Sequence, residues 1–189
     1  MRLTVATHNE HKLVEFARLL PGYELVSLPQ GSEPPAEDGD SFAANALIKA
    51  RAGAAVSGGP TVADDSGICV ESLGGAPGIL SARWAGEQSD DEANLQLLID
   101  RTELGDRLEY VCAIAYCDPL SGTEEIFEAS CFGRRVGEPR GERGFGYDPA
   151  FEPLEAPGRT MAELEGDEKD RISHRGGAAR ALDAWLRAQ

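Results

Sequence analysis

Asp64 and Asp65 stand side by side in the stretch TVADDSGICV, with Thr61, Val62 and Ala63 leading in and Ile68, Cys69 and Val70 leading out. Two carboxylates in an apolar run are costly unless a cation or hydrogen-bond donors meet them. In an extended strand neighbouring side chains point to opposite faces, so both acids serve one site only if the chain kinks. Ser66-Gly67 is the place for such a kink. One acid then binds a metal while the other accepts donors. Magnesium takes few carboxylates plus water and phosphate oxygens, and one more acid from the loop PPAEDGD, Glu37 or Asp38, completes such a set. The alternative is an Asx-type turn with solvated acids, and the local pattern leaves both open.

The segment VATHNEHK ends a strand, turns on small polar residues and opens a helix with a lysine in its first turn. Helix N-termini expose amide donors and partial positive charge, which suits phosphate; Thr7 and Asn9 add donors and Lys12 a point charge. The alternative is an ordinary N-cap with Lys12 in solvent. The glycines of a Walker loop are absent. His8 and His11 lie three apart without a third ligand nearby, so they are read as surface histidines and not as a metal pair. GFGYDP either presents Phe145 or Tyr147 to a flat ligand or turns tightly with its aromatics on the core. KDRISHRGG places Lys169, His174 and Arg175 before the last helix, where they suit an anion or form a solvated basic turn. Of 18 lysines and arginines only Lys12, Lys49 and Lys169 are lysine, and all three fall in these segments. A compact ammonium on a slim stem is a reason to keep lysine there.

The elements that must position these groups follow from periodicity. RLTVAT is a short strand, and a helix runs from about Asn9 to Leu20 with Leu13, Phe16, Ala17 and Leu20 as its apolar face. A second helix starts at Ser41, with Phe42, Ala46, Leu47 and Ala50 as core positions. The strand at the two acids comes next, then the turn GGAPG. Ser89 begins a third helix, with Glu92 placed for a capping box. RLEYVCAIAYC and EEIFEASCFGRRV read as two strands joined by DPLSG in an antiparallel hairpin. GERGFGYDPAF is a loop entering a short strand, Thr160 with Glu163 marks a capped turn, and the last helix carries Leu182, Trp185 and Leu186. The mixture of strands and helices argues α/β with a mixed sheet in one domain, 1–189.

A formal charge of −15 over 189 residues argues against unspecific binding to nucleic acid or anionic lipid, so a phosphate ligand needs a locally basic or metal-loaded site. No segment reads as a signal peptide or membrane span. Cys69, Cys112, Cys117 and Cys131 lie in strand-like runs without CxxC spacing, which fits reduced core thiols in a cytoplasmic protein.

Together the segments ATHNEHKLVEF, EDGDSFAANALIKA, ADDSGICVESLGGAPGILSARWAG, GFGYDPAF and ISHRGGAARAL, five in order over almost the whole length, resemble the inosine triphosphatase family, the XTP/dITP diphosphatases. The resemblance implies a mixed, twisted central sheet flanked by helices, in two lobes with a cleft between them. It also implies hydrolysis of dITP, ITP or XTP to the monophosphate and pyrophosphate with Mg2+, by a cytoplasmic homodimer. By the same likeness Thr7, His8, Asn9, Glu10, His11, Lys12 and Lys49 hold the triphosphate. Glu37 and Asp65 hold the metal, and Asp65 is the base that activates water. Ser66 contacts the substrate, and Phe145, Gly146, Tyr147, Asp148, Lys169, His174 and Arg175 surround the nucleoside. Arginine carries only donors, so Arg175 would favour a purine with a 6-keto oxygen. Two departures stand out: Ala44 replaces a frequent Glu beside Asn45, and Gly166-Asp167 interrupts what is often a more regular helix. Rival readings are a nucleotide-binding regulator without catalysis, a pyrophosphatase of pyrimidine or modified nucleotides, and a structural acidic domain that binds divalent ions.

Overall fold

Alternation along the strands decides which residue faces which layer. The structure, a computed structural model, describes residues 1–86 and 90–189. Six strands form one sheet: β1 (Arg2–Val5), β2 (Glu24–Ser27), β3 (Thr61–Val70), β4 (Arg107–Asp118), β5 (Thr123–Arg135) and β6 (Phe151–Pro153), in the order β2-β1-β3-β4-β5-β6. β1 pairs in parallel with β2 and β3, and β5 pairs antiparallel with β6, so the sheet is mixed as expected. The helices are α1 (Glu10–Leu19), α2 (Phe42–Ser57), α3 (Asp91–Arg101), α4 (Gly166–Ile172) and α5 (His174–Leu186). Among the described residues no helix is long and apolar enough to cross a membrane.

The chain gathers into two compact units. The first comprises Met1–Asp65, Cys112–Ala129 and Arg175–Gln189, and the second Ser66–Val111 and Ser130–His174. In the first unit β3 and β4 bury both faces. Val62, Cys112, Ile114 and Tyr116 join Leu3, Val5, Phe16, Leu20, Ala178, Ala179 and Leu182 in one cluster. Their neighbours in sequence, Ala63, Ala113, Ala115 and Cys117, join Ala6 and the α2 residues Ala46, Ala50 and Ala54 in another. Bulky side chains thus fill the α1 and α5 side and alanines the α2 side. A Cβ on Gly53 would stand 2.6 Å from the Ala6 Cβ and 2.9 Å from the Thr61 Cγ2, so α2 lies close against the sheet. Trp185 belongs to this unit's core, its ring centroid 5.1 Å from that of Tyr116 and 5.7 Å from that of Phe127.

The second unit has its own core of Ile68, Val70, Leu98, Leu108, Tyr110, Cys131, Tyr147, Ala150, Phe151, Met161 and Leu164, with Trp84 packed against it. All four thiols are unbridged, and Cys112, Cys117 and Cys131 are buried.

Several boundaries follow the reading of the sequence. Asn9 and Ser41 are N-caps, their side chains accepting from the Lys12 and Ala44 amides. Thr160 and Glu163 form a reciprocal capping box. β4 and β5 are neighbours joined through 119–122. Other expectations are corrected. Ala17 is exposed, while Glu15 takes the buried place beside Phe16, for a reason given below. β2 had no expectation. Ser89, expected to begin the third helix, lies outside the described residues; the cap seen is Asp90, whose Oδ1 accepts from the Ala93 amide at 2.8 Å. Gly166-Asp167 does not prevent a helix: α4 begins there under a capping box from Glu165 and Glu168.

Candidate functional site

β3 runs unbroken from Thr61 to Val70 through both acids, so Asp64 and Asp65 keep the alternation of a strand. Asp64 continues the side of Val62, towards α1 and α5. Asp65 continues the side of Ala63, towards α2. Neither is a solvated turn residue: they are 1% and 7% exposed. Each acid therefore meets a different set of partners.

Asp64 is held by cations from two helices. Its Oδ2 lies 3.0 Å from Lys12 Nζ and accepts from Arg175 Nε at 3.2 Å and Nη2 at 2.9 Å. The thiol of Cys112 also points at it, 3.9 Å away. Arg175, 2% exposed, turns its remaining arm, Nη1, to Glu15. This explains why α1 buries a glutamate: Glu15 balances an arginine that would otherwise carry excess charge into the core. Burial alone would raise the Asp64 pKa, but Lys12, Arg175 and Lys49 outweigh it and hold the carboxyl far below its ordinary range. Burial likewise opposes the charge on Arg175, and Asp64 and Glu15 overcome it, raising its pKa. Cys112, buried beside that negative charge, has its thiol pushed up to about 12. In this arrangement the Arg175 guanidinium is a counter-ion of both Asp64 and Glu15.

Asp65 faces α2. Lys49 Nζ lies 2.7 Å from its Oδ1, and Asn45 Nδ2 donates to its Oδ2 at 3.4 Å. Asn45 and Lys49 are four apart and so share one helix face. Lys49 Nζ also reaches Glu37 Oε2 at 3.4 Å. Burial raises the Asp65 pKa more than Lys49 lowers it, with Glu37 adding to the rise. For Lys49, burial opposes the charge, but Asp65, Asp64 and Glu37 prevail and its pKa rises. Two hard carboxylates converging on one ammonium are also a fitting donor set for a divalent cation. Among the described residues no cage of three His, Cys, Asp or Glu side chains forms. The pair Glu37 and Asp65 would leave most coordination positions to water and phosphate oxygens, the preference of magnesium.

The start of α1 supplies the remaining residues of the first unit. Thr7 Oγ1 accepts from the Asn9 amide at 3.2 Å, and Asn9 Oδ1 from the Lys12 amide at 3.2 Å. His8, Asn9, Glu10 and His11 are exposed, with His8 Nε2 donating to the Ser32 carbonyl at 2.9 Å. Of this segment the structure brings Lys12 to the acids and leaves the others on the surface around the helix start.

The second unit gathers a different group. Asp148 is buried and accepts from Lys169 Nζ at 2.6 Å, from the Phe145 amide at 3.0 Å and from the Tyr110 hydroxyl at 3.2 Å. Lys169 Nζ lies 5.2 Å from the centroid of the half-buried Phe145 ring. Gly146 donates its amide to Asp91 at 2.9 Å. Tyr147 is a core residue whose hydroxyl donates to the Ser81 carbonyl at 2.7 Å, which leaves Phe145 as the loop's accessible aromatic. His174 stacks on Tyr110, centroids 4.6 Å apart and planes 9° from parallel. Ser66 is half-buried on β3. Gly67 follows it because Ser81 presses there: a Cβ on Gly67 would stand 2.6 Å from the Gly78 carbonyl oxygen, and Ser81 Oγ accepts from the Ile68 amide at 2.8 Å.

Four residues of these groups escaped the reading of the sequence: Glu15, Asn45, Ser81 and Tyr110. Asn45 and Glu15 left a signal, each a polar group within four residues of a lysine on a helix whose face must be buried. Ser81 and Tyr110 left none.

Comparison with known proteins extends these local observations over the whole chain. The model of the Ham1 family matches residues 3–185. The chain is similar to the dITP/XTP pyrophosphatase of Cutibacterium acnes, 48% identical over 192 residues that take in 96% of this chain and 94% of that protein. Among solved structures, the HAM1 protein of Coxiella burnetii matches with a TM-score of 0.86 at 34% identity, covering 100% of both chains. The nucleoside-triphosphatase / dITP/XTP pyrophosphatase of Mycobacterium abscessus matches with a TM-score of 0.72 at 44% identity, covering 98% of this chain and 99% of that one. The matched stretch contains β3 with its two acids, α2 with Lys49 and the loop of Asp148, and on sequence and fold alike the chain belongs to the Ham1 family.

Proposed function

We propose that the protein is a magnesium-dependent diphosphatase of non-standard purine nucleoside triphosphates, dITP, ITP and XTP. The products are the monophosphate and pyrophosphate. The observation that carries the reading is the split of the two acids: one strand presents Asp64 to Lys12 and Asp65 to Lys49 and Glu37. A buried acid pair flanked by two lysines from different helices suits a polyphosphate and a divalent ion better than it suits a core. The relatives named as dITP/XTP pyrophosphatases support the same substrate class, and a homodimer in the cytoplasm is carried over with the family resemblance.

Asp65 takes a proton from the attacking water as its oxygen bonds to the α-phosphorus, and the bond to the β-phosphate oxygen breaks to release pyrophosphate. Its raised proton affinity suits it to that task better than Asp64, whose charge is locked by Arg175 and Lys12. Lys12 and Lys49 stabilise charge on the departing pyrophosphate. Magnesium held by Glu37 and Asp65 supplies neutralisation of the phosphates and a more acidic water. The preference for a 6-keto purine is carried over with the family resemblance.

The test is pyrophosphate release from ITP, dITP, XTP, GTP and ATP with and without magnesium. Fast release from the first three, slow release from GTP and ATP and none without the metal are expected; equal rates across the panel overturn the selectivity. Asp65→Asn is expected to fold, to bind nucleotide and to turn over about 10²–10⁴-fold more slowly. An unchanged rate removes Asp65 from the mechanism.

A further inference from the structure

We infer that Asn45 is a positioning residue, tying the loop that carries Glu37 to Asp65 so that the two carboxylates are set in advance for one divalent cation. The inference rests on the reading of Glu37 and Asp65 as the metal ligands. Asn45 lies in the first turn of α2 and is 1% exposed. Its amide oxygen accepts from the Gly39 amide at 2.9 Å, and its amide nitrogen donates to Asp65 Oδ2 at 3.4 Å. Gly39 stands two residues after Glu37, so one side chain reaches both arms of the pair. The loop approaches so closely that a Cβ on Gly39 would stand 2.6 Å from Asn45 Oδ1 and 2.8 Å from the Ala44 Cβ.

The division of labour along α2 is chemical. Lys49 addresses Asp65 Oδ1 and Asn45 addresses Oδ2. Lys49 attracts Asp65 and Glu37 by charge and therefore competes with any cation placed between them. Asn45 is neutral, so it orients Asp65 without competing. The amide accepts through its oxygen and donates through its nitrogen, so a single side chain serves both arms. Partners in this outer position of a metal site typically affect affinity about 10–100-fold.

The experiment is titration of the substrate-free protein with Mn2+, followed by the electron paramagnetic resonance signal of the unbound ion. Asn45→Ala is expected to bind Mn2+ about tenfold more weakly than the unaltered protein and to exchange the Gly39 amide hydrogen faster. In turnover assays its half-saturating magnesium concentration should rise while the nucleotide KM at saturating magnesium stays put, a split that a loss of stability alone does not produce. Glu37→Gln separates the two ideas. If Glu37→Gln binds Mn2+ as well as the unaltered protein, the metal reading falls. If Glu37→Gln is weakened and Asn45→Ala is not, the positioning role falls and the metal reading stands. Should Asn45→Ala fail to fold, Gly39→Ala takes its place, since it keeps Asn45 but forces the loop away from it; an unchanged Mn2+ affinity there equally overturns the inference.

Discussion

Adjacent aspartates with the same formal chemistry are driven apart by where a strand points them. Asp64 has Lys12 and Arg175 at 3.0 Å or less and stays ionised, whereas Asp65, with one lysine and a neighbouring glutamate, holds its proton more readily. The two act oppositely on stability as pH changes. Asp64, whose folded value is depressed, contributes stability that is fully present above its ordinary 3.8 and is lost as pH falls through the folded value. Asp65, whose folded value is raised, makes the folded state less favourable above that value and is relieved on acidification. Asp64→Asn strips a buried arginine and lysine of their shared anion and should cost about 3–5 kcal/mol at neutral pH, read by urea denaturation. Because Asp64 dominates, the unaltered protein should lose stability faster than Asp64→Asn below about pH 4. Identical slopes would mean that Asp64 is not the charge at work. At this scale the reading of the sequence located the acids and the three lysines, since charged groups amid apolar or turn residues are conspicuous. It did not find the ion pairs of Arg175, because partners as distant along the chain as Asp64 and Glu15 leave no mark on local pattern.

The elements explain how such short side chains reach one another. α2 carries alanines and a glycine where α1 carries Phe16 and Leu20, and that thinness lets Asn45 and Lys49 meet Asp65 directly. Gly53→Ala would bring a Cβ to within 2.6 Å of the Ala6 Cβ. Overpacking of that kind costs about 1–3 kcal/mol. It should lower the melting temperature and, by moving α2 outward, reduce turnover beyond what the fraction folded accounts for. A Gly53→Ala protein as stable and active as its parent would show that the close approach is dispensable. Helices α1 and α2 were legible because their caps, Asn9 and Ser41, precede clear apolar positions. β2 was not, since the four residues ELVS are too few for a period to emerge, and its place is set by pairing with β1. The kink at Ser66-Gly67 that would let both acids serve one site is absent, since β3 runs on through them to Val70; Gly67 answers instead to the side chain of Ser81.

At the scale of the whole molecule, three hydrophobic clusters hold the buried apolar side chains described above, two in the first unit and one in the second, and three of the four thiols are distributed among them. Cys112 and Cys117 lie in the first unit's clusters and Cys131 in the second's, while Cys69 is only half-buried. Burial, the leading cause, raises the pKa of all four, Cys112 and Cys131 to about 12. A disulfide reagent at neutral pH should therefore label Cys69 slowly and the other three hardly at all, with all four reacting in denaturant. Rapid native labelling of more than one thiol would contradict these cores. The net charge of −15 belongs to this scale as well: it sets a repulsive background for any polyanion, against which, on the proposed reading, Lys12, Lys49 and a divalent ion would act locally. The course of the backbone has its own consequence. The first unit is assembled from three stretches and the second from two, with the chain passing over at 65–66, 111–112, 129–130 and 174–175. No contiguous gene fragment encodes either unit alone, so a premature stop codon before residue 174 truncates both units at once.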